Sequence, residues 1–144
     1  MFRVMPTIFG FVIVLISFFV TSKIIDYYRP ISDSPRCSND PDCCPQGQAV
    51  ILSAPFPHME GYAYRVSLPT LTDLADTATN LARSPAVLCE GDYRMGPAHR
   101  PFAEIIEKGF GRFMHYQSEF VFSSSDNSDP NSNRRRYTIV IPKK

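Results

Sequence analysis

Three histidines, an Asx-rich loop and four cysteines carry most of this chain's capacity for chemistry. His99 lies in GPAHRP between Pro97 and Pro101, where a stiffened backbone aims a side chain with little loss of entropy. His115 alternates with Phe113 in the strand-like FMHY, and His58 follows Pro57 in an expected turn. As a pair, His99 and His115 would bind zinc or act as a general base only with a third group, such as Glu104 or Asp92, and no recognised spacing supplies one. Each therefore reads first as a hydrogen-bonded structural residue. The chain has no G-x-S-x-G, no H-E-x-x-H and no G-x-x-x-x-G-K, the patterns that place a nucleophile, a zinc-bound water or a phosphate cradle. No catalytic residue and no metal ligand is assigned, and an independent enzyme is not expected.

The stretch SSSDNSDPNSN, Ser123 to Asn133, offers Asp126, Asn127, Asp129, Asn131 and Asn133 as oxygen donors. Calcium takes about six to eight such ligands. Here, however, no glycine marks the sharp turn of an EF-hand and no glutamate closes the loop. Asx side chains also bond their own backbone two residues on, so the stretch reads as a turn-rich hairpin connection. A ligand-reading loop and a calcium loop are the alternatives, and calcium is the one cofactor considered. The Arg, Tyr, Asn and Asp content near this hairpin suits a saccharide or anionic polymer, with rings as stacking platforms and Arg and Asn as bidentate hydrogen-bonders. The competing reading is a polar rim.

Cys37, Cys43, Cys44 and Cys89 make an even count, three of them crowded into RCSNDPDCCP. Disulfides are the preferred reading. Free thiols and zinc are the rivals, although C-x5-C-C is not the paired C-x2-C of zinc knuckles. Adjacent cysteines rarely pair with each other, because disulfide geometry wants their Cα atoms well apart. One of Cys43 and Cys44 is expected to pair with Cys37 and the other with Cys89, stapling a linker to a domain.

Disulfides belong to an oxidising compartment outside the cytoplasm, and the N-terminus agrees. Val4 to Ser22 carries no charged side chain and as a helix would span about 28 Å, close to a bilayer's hydrocarbon thickness. Residues 1–23 read as a transmembrane anchor, with a cleaved signal peptide as the alternative. The site Val20-Thr21-Ser22 is a mediocre cleavage signal. The remainder is expected to lie outside the cytoplasm at a cell membrane, single-pass, although Arg3 and Lys23 leave the flanking charge nearly balanced. A net charge of +1 argues against a nucleic-acid partner, and Arg134-Arg135-Arg136 reads as a solvated strand end.

The elements that must position these residues follow from local pattern. Residues 24–48, with Pro30, Pro35, Pro41 and Pro45 among polar residues, read as a linker. The folded domain is expected over 49–144. AVILSAPF and YAYRVSL suggest a hairpin. Thr70 and Asp73 suggest a capping box, ahead of a helix that aligns Leu71, Leu74, Ala75, Ala78, Leu81 and Ala82. AVLCE predicts a strand carrying Cys89 inward. A short helix is predicted from Phe102 to Lys108, with Gly109 as its left-handed cap. Gly111 to Tyr116, Glu119 to Ser123 and Tyr137 to Ile141 read as strands. The class is α+β: a small, mainly antiparallel β-rich domain with two short helices behind a single membrane helix.

Ser84 to Tyr137 resembles a poorly characterised bacterial module whose members show L-G-P-A-H, then G-G-G-R-[FY]-S-H-W, then F-S-x-S-D-x-S-D-P-x-x-N-G-R-x-Y. The resemblance covers about 54 of 144 residues. Gly96, Pro97, Ala98, His99, Gly111, Arg112, Phe113, His115, Ser123, Ser125, Asp126, Ser128, Asp129, Pro130, Asn133, Arg135 and Tyr137 match the pattern. Tyr116 stands for its Trp, Met114 for a Ser, Arg134 for a Gly and Phe102 for a His. Such segments look like accessory regions of proteins in cell-surface polysaccharide pathways. The resemblance and the composition together imply His99, Arg112, His115, Tyr116, Asp126, Asp129, Asn133 and Arg135 as candidate ligand-binding residues. The function expected is a non-enzymatic, membrane-anchored domain that binds a saccharide or envelope partner. The alternative is an accessory or scaffold subunit of a membrane protein complex with no ligand of its own.

Overall fold

The computed structural model describes residues 40–143. The expected anchor, the linker up to residue 39 and Cys37 lie outside the described residues. Among those described, no helix is long and apolar enough to cross a membrane.

Among the described residues seven short strands form two antiparallel sheets: β1 (Gly47–Ile51), β2 (Tyr64–Ser67), β3 (Val87–Glu90), β4 (Tyr93–Arg94), β5 (Phe113–Tyr116), β6 (Glu119–Phe122) and β7 (Tyr137–Pro142). One sheet has the order β1-β7-β3-β4 and the other β2-β6-β5. A 3-10 helix, Pro69–Leu74, and α1, Phe102–Glu107, are the two helical pieces. The expected small, mainly antiparallel β-rich domain with two short helices is what forms.

Alternation along each strand sets the layers. Phe113, Phe120 and Phe122 of one sheet meet Leu88, Tyr137 and Ile139 of the other in a single core, with Leu52, Phe56 and Leu71 added from the connections. Phe56 seals it, its ring edge-on to both Phe122 and Tyr137. On the outer face of the three-stranded sheet, Val121 packs with Ala63 and with Ile105 of α1. On the outer face of the four-stranded sheet, Val87, Cys89 and Val140 are covered by Cys44. Cys44 and Cys89 form a disulfide. Cys43 is likewise disulfide-bonded, while the expected pairing of Cys37 falls outside the described residues. The strap 42–44 is further tied by amide bonds between Cys44 and Asp92 and between Arg94 and Asp42.

Three local expectations are corrected. The Asx-rich stretch is not a hairpin connection, because β6 and β7, which it joins, lie in different sheets. AVILSAPF and YAYRVSL do not pair: β1 lies against β7, and β2 against β6. Each run has its apolar face on the same core but from opposite sheets, and the segment containing Phe56 crosses between them. The helix expected through Ala82 stops at Leu74, because Ala75 turns extended at φ −68° and ψ 158°. Thr, Asp and Asn crowd this stretch and compete with the helix for backbone bonds. The Asp76 amide donates instead to the His115 carbonyl at 2.8 Å. No capping box forms, the Thr72 hydroxyl donating to the Pro69 carbonyl, and Leu81 ends up exposed.

Candidate functional site

The Asx-rich loop closes on itself first. The Asp126 carboxylate accepts from the Ser128 amide and hydroxyl, and that of Asp129 from the Asn131 amide. The Asn133 carbonyl oxygen accepts from the Arg135 amide. Long-range bonds then dock the loop. Asn131 exchanges two hydrogen bonds with the backbone of Phe56. Tyr137 donates to Glu90 at 2.7 Å and accepts from Asn133 at 2.7 Å. Arg135 spans Glu90 and Asp126. The hydrogen bond from Arg135, helped by those from Ser128, holds the Asp126 carboxyl well below the usual carboxylate range. Burial, against the Asn133 bond and with Glu90, pushes the Tyr137 hydroxyl upward. Tyr137→Phe should therefore leave Glu90 and Asn133 each one partner short. We expect a loss of about 1–2 kcal/mol, seen as a lower urea midpoint with an unchanged slope.

The two candidate histidines sit on neighbouring buried polar residues, His99 on Asp76 and His115 on Ser84. Asp76 accepts from the Ser84 amide at 2.7 Å through one oxygen and pairs with His99 Nδ1 at 2.8 Å through the other. His115 Nδ1 lies 2.8 Å from the Ser84 hydroxyl oxygen, which also accepts from the Ala86 amide. The carboxylate beside the histidines is Asp76, on His99 alone. Glu104 instead neighbours Lys108 and Arg112, and Asp92 faces Arg136. Sequence reasoning missed Asp76 and Ser84 because both fall in or beside the stretch read as a helix. His99 holds a left-handed backbone at φ 56°, a conformation that costs a non-glycine residue about 1–2 kcal/mol.

These four side chains form two dyads, Asp76–His99 and Ser84–His115. In a hydrolytic triad the base that touches the hydroxyl is oriented through its other nitrogen. Here His115 Nε2 is buried with no partner among the described residues, and the carboxylate serves His99. The cluster ties the 3-10 segment, the GPAHRP loop and β5 together. Among the described residues no group of three His, Cys, Asp or Glu side chains could hold a metal ion.

Burial pushes the His115 imidazole below its ordinary 6.5, against the pull of Asp76 and with the help of His99. Above that value both folded and unfolded chains hold it neutral. Below it, the unfolded chain takes up a proton that the fold refuses until lower pH, so stability falls as pH drops. His115→Phe is expected to flatten the fall that sets in below about pH 6.5; equilibrium urea melts at and below that pH read it. The Asp126 contribution is lost only as pH falls below 3.8, a separate window.

The remaining candidates divide. Arg112 donates to the Gly109 carbonyl at 2.9 Å, and Tyr116 bridges to Asp76 through the backbone. Two exposed aromatic residues, Tyr62 and Phe110, were not among the site candidates read from sequence. Gly109, Phe110 and Gly111 are three successive left-handed residues, at φ 64°, 51° and 77°. Phe110 stands 60% exposed at this tip, with Tyr62 41% exposed beside it. A Cβ on Gly109 would lie 2.9 Å from that of Tyr62 and 2.0 Å from Asn127 Oδ1, so the tip and Tyr62 adjoin. Asn127 holds the tip from the Asx-rich loop, accepting from the Phe110 amide and donating to the Lys108 carbonyl. A phenylalanine between two glycines was the available signal. Comparison of the chain with family models, with curated proteins and with solved structures finds no match.

Proposed function

We propose that this chain is a non-enzymatic, membrane-anchored extracytoplasmic domain that binds a saccharide on the Tyr62–Phe110 surface. One observation carries the reading. An aromatic side chain is held out to solvent on a left-handed backbone tip, a conformation that costs about 1–2 kcal/mol. Exposed rings with polar neighbours suit the apolar faces of sugar rings, and Asn127, Lys108 and Glu104 surround the tip. In this reading the Asx-rich loop supports the platform, and Asp126, Asp129, Asn133 and Arg135 serve that support. The resemblance to accessory regions of polysaccharide-related proteins points the same way.

The alternative, an accessory subunit with no ligand of its own, is favoured by how many of the polar candidates are spent on internal bonds. Retention on a panel of immobilised envelope polysaccharides separates the two. The full chain in detergent should be retained, and Phe110→Ala and Tyr62→Ala should not be, while both variants keep the wild-type melt.

A further inference from the structure

We propose that the open edge of β1 pairs antiparallel with β1 of a second copy of this chain, joining two four-stranded sheets into one. A sheet edge exposes unpaired backbone donors and acceptors, and folded proteins commonly guard it with charges, proline or a covering segment. Three of the four edges here are guarded. β4 is covered by the strap through the Cys43–Tyr93 bridge and the Arg94–Asp42 bond. β2 is covered by the Pro57–His58 turn. Over β5 lie Pro97, Arg100 and Asp76. Among the described residues β1 alone has no cover, and its sequence GQAVI holds neither a charge nor a proline.

The register tells which groups are open. Leu52 donates to Tyr137, and Lys143 to Gln46, across the β1–β7 ladder. Antiparallel pairs alternate between bonded and non-bonded, so Val50 and Gln48 face β7, and the amides and carbonyls of Gly47, Ala49 and Ile51 point outward. This set is self-complementary about Ala49. A two-fold copy places Ala49 opposite Ala49 and Gly47 opposite Ile51, matching every outward donor to an acceptor. The Ile51 side chain, 57% exposed, then lies beside a glycine with no side chain to obstruct it. No like charges oppose each other across the axis. A pairing of this length falls well short of the roughly 1,200 Å² of a stable interface, so it is weak and reversible in solution and is strengthened when copies are concentrated on one surface.

The test is sedimentation equilibrium of the full chain in detergent. Wild type should show a concentration-dependent monomer–dimer equilibrium. Ala49 is exposed and its amide is not used by β7, so Ala49→Lys and Ala49→Glu should fold with the wild-type melt. Each alone should associate about fivefold more weakly or less, and an equimolar mixture of the two should recover association. Wild type that stays monomeric throughout, or a lysine variant that still associates as wild type, overturns the proposal.

Discussion

Loss of the Cys44–Cys89 disulfide through Cys89→Ser is expected to lower stability by about 4 kcal/mol, the value for closing a loop of this length in the unfolded chain. The two cysteines are 45 residues apart in sequence, with Cα atoms 5.8 Å apart. The loop they close begins in the strap before β1 and ends on β3, where short backbone bridges at Asp92, Tyr93 and Arg94 also hold the strap. Cys89 is fully buried against Val87 and Val140, and a serine hydroxyl there adds its own desolvation cost. Cys44→Ser should cost nearly as much, and the double variant little more than either alone. Urea melts of the three variants against oxidised wild type read the effect. Fully additive losses would mean that each cysteine stabilises by packing rather than by the bond.

The second large effect belongs to Asp76. Asp76→Ala leaves the buried Ser84 amide and the Nδ1 of His99 without their acceptor, and the expected loss is about 3 kcal/mol. Asp76→Asn keeps an acceptor for the Ser84 amide and the volume of the side chain, so about half that loss is expected. The gradation distinguishes a hydrogen-bonded tie from a requirement for charge, under which asparagine would cost as much as alanine. Urea melts of both variants at neutral pH decide between them.

Much of the architecture from Ala86 onward was legible because its signals are local. Alternation in FMHY, EFVF and YTIVI gave strands, and apolar spacing with Gly109 after it gave α1. What failed were the non-local decisions. β1 pairs with a strand near the other end of the described chain, and nothing within AVILSAPF distinguishes that partner from its neighbour YAYRVSL. The stretch after Pro69 has helical spacing in its leucines and alanines, yet the bonds that Asp76 finds on β5, Ser84 and His99 outweigh it. Of the candidate site, the two histidines stood out by type, whereas their partners lay in or beside a segment assigned to another structure. The Asx-rich loop was recognisable as a turn former. Its hold on Phe110 through Asn127 depends on a contact across 17 positions, which composition does not encode.

The central claim is that Phe110 is displayed for a ligand rather than for the fold. Its most direct test is the retention of the full chain and of Phe110→Ala on immobilised envelope polysaccharides, with thermal melts of both proteins alongside. Wild type should be retained, and Phe110→Ala should lose retention with the melting midpoint of wild type, since the exposed ring packs little and alanine keeps the same left-handed backbone. Absence of retention by folded wild type, or equal retention by the folded variant, would contradict the account.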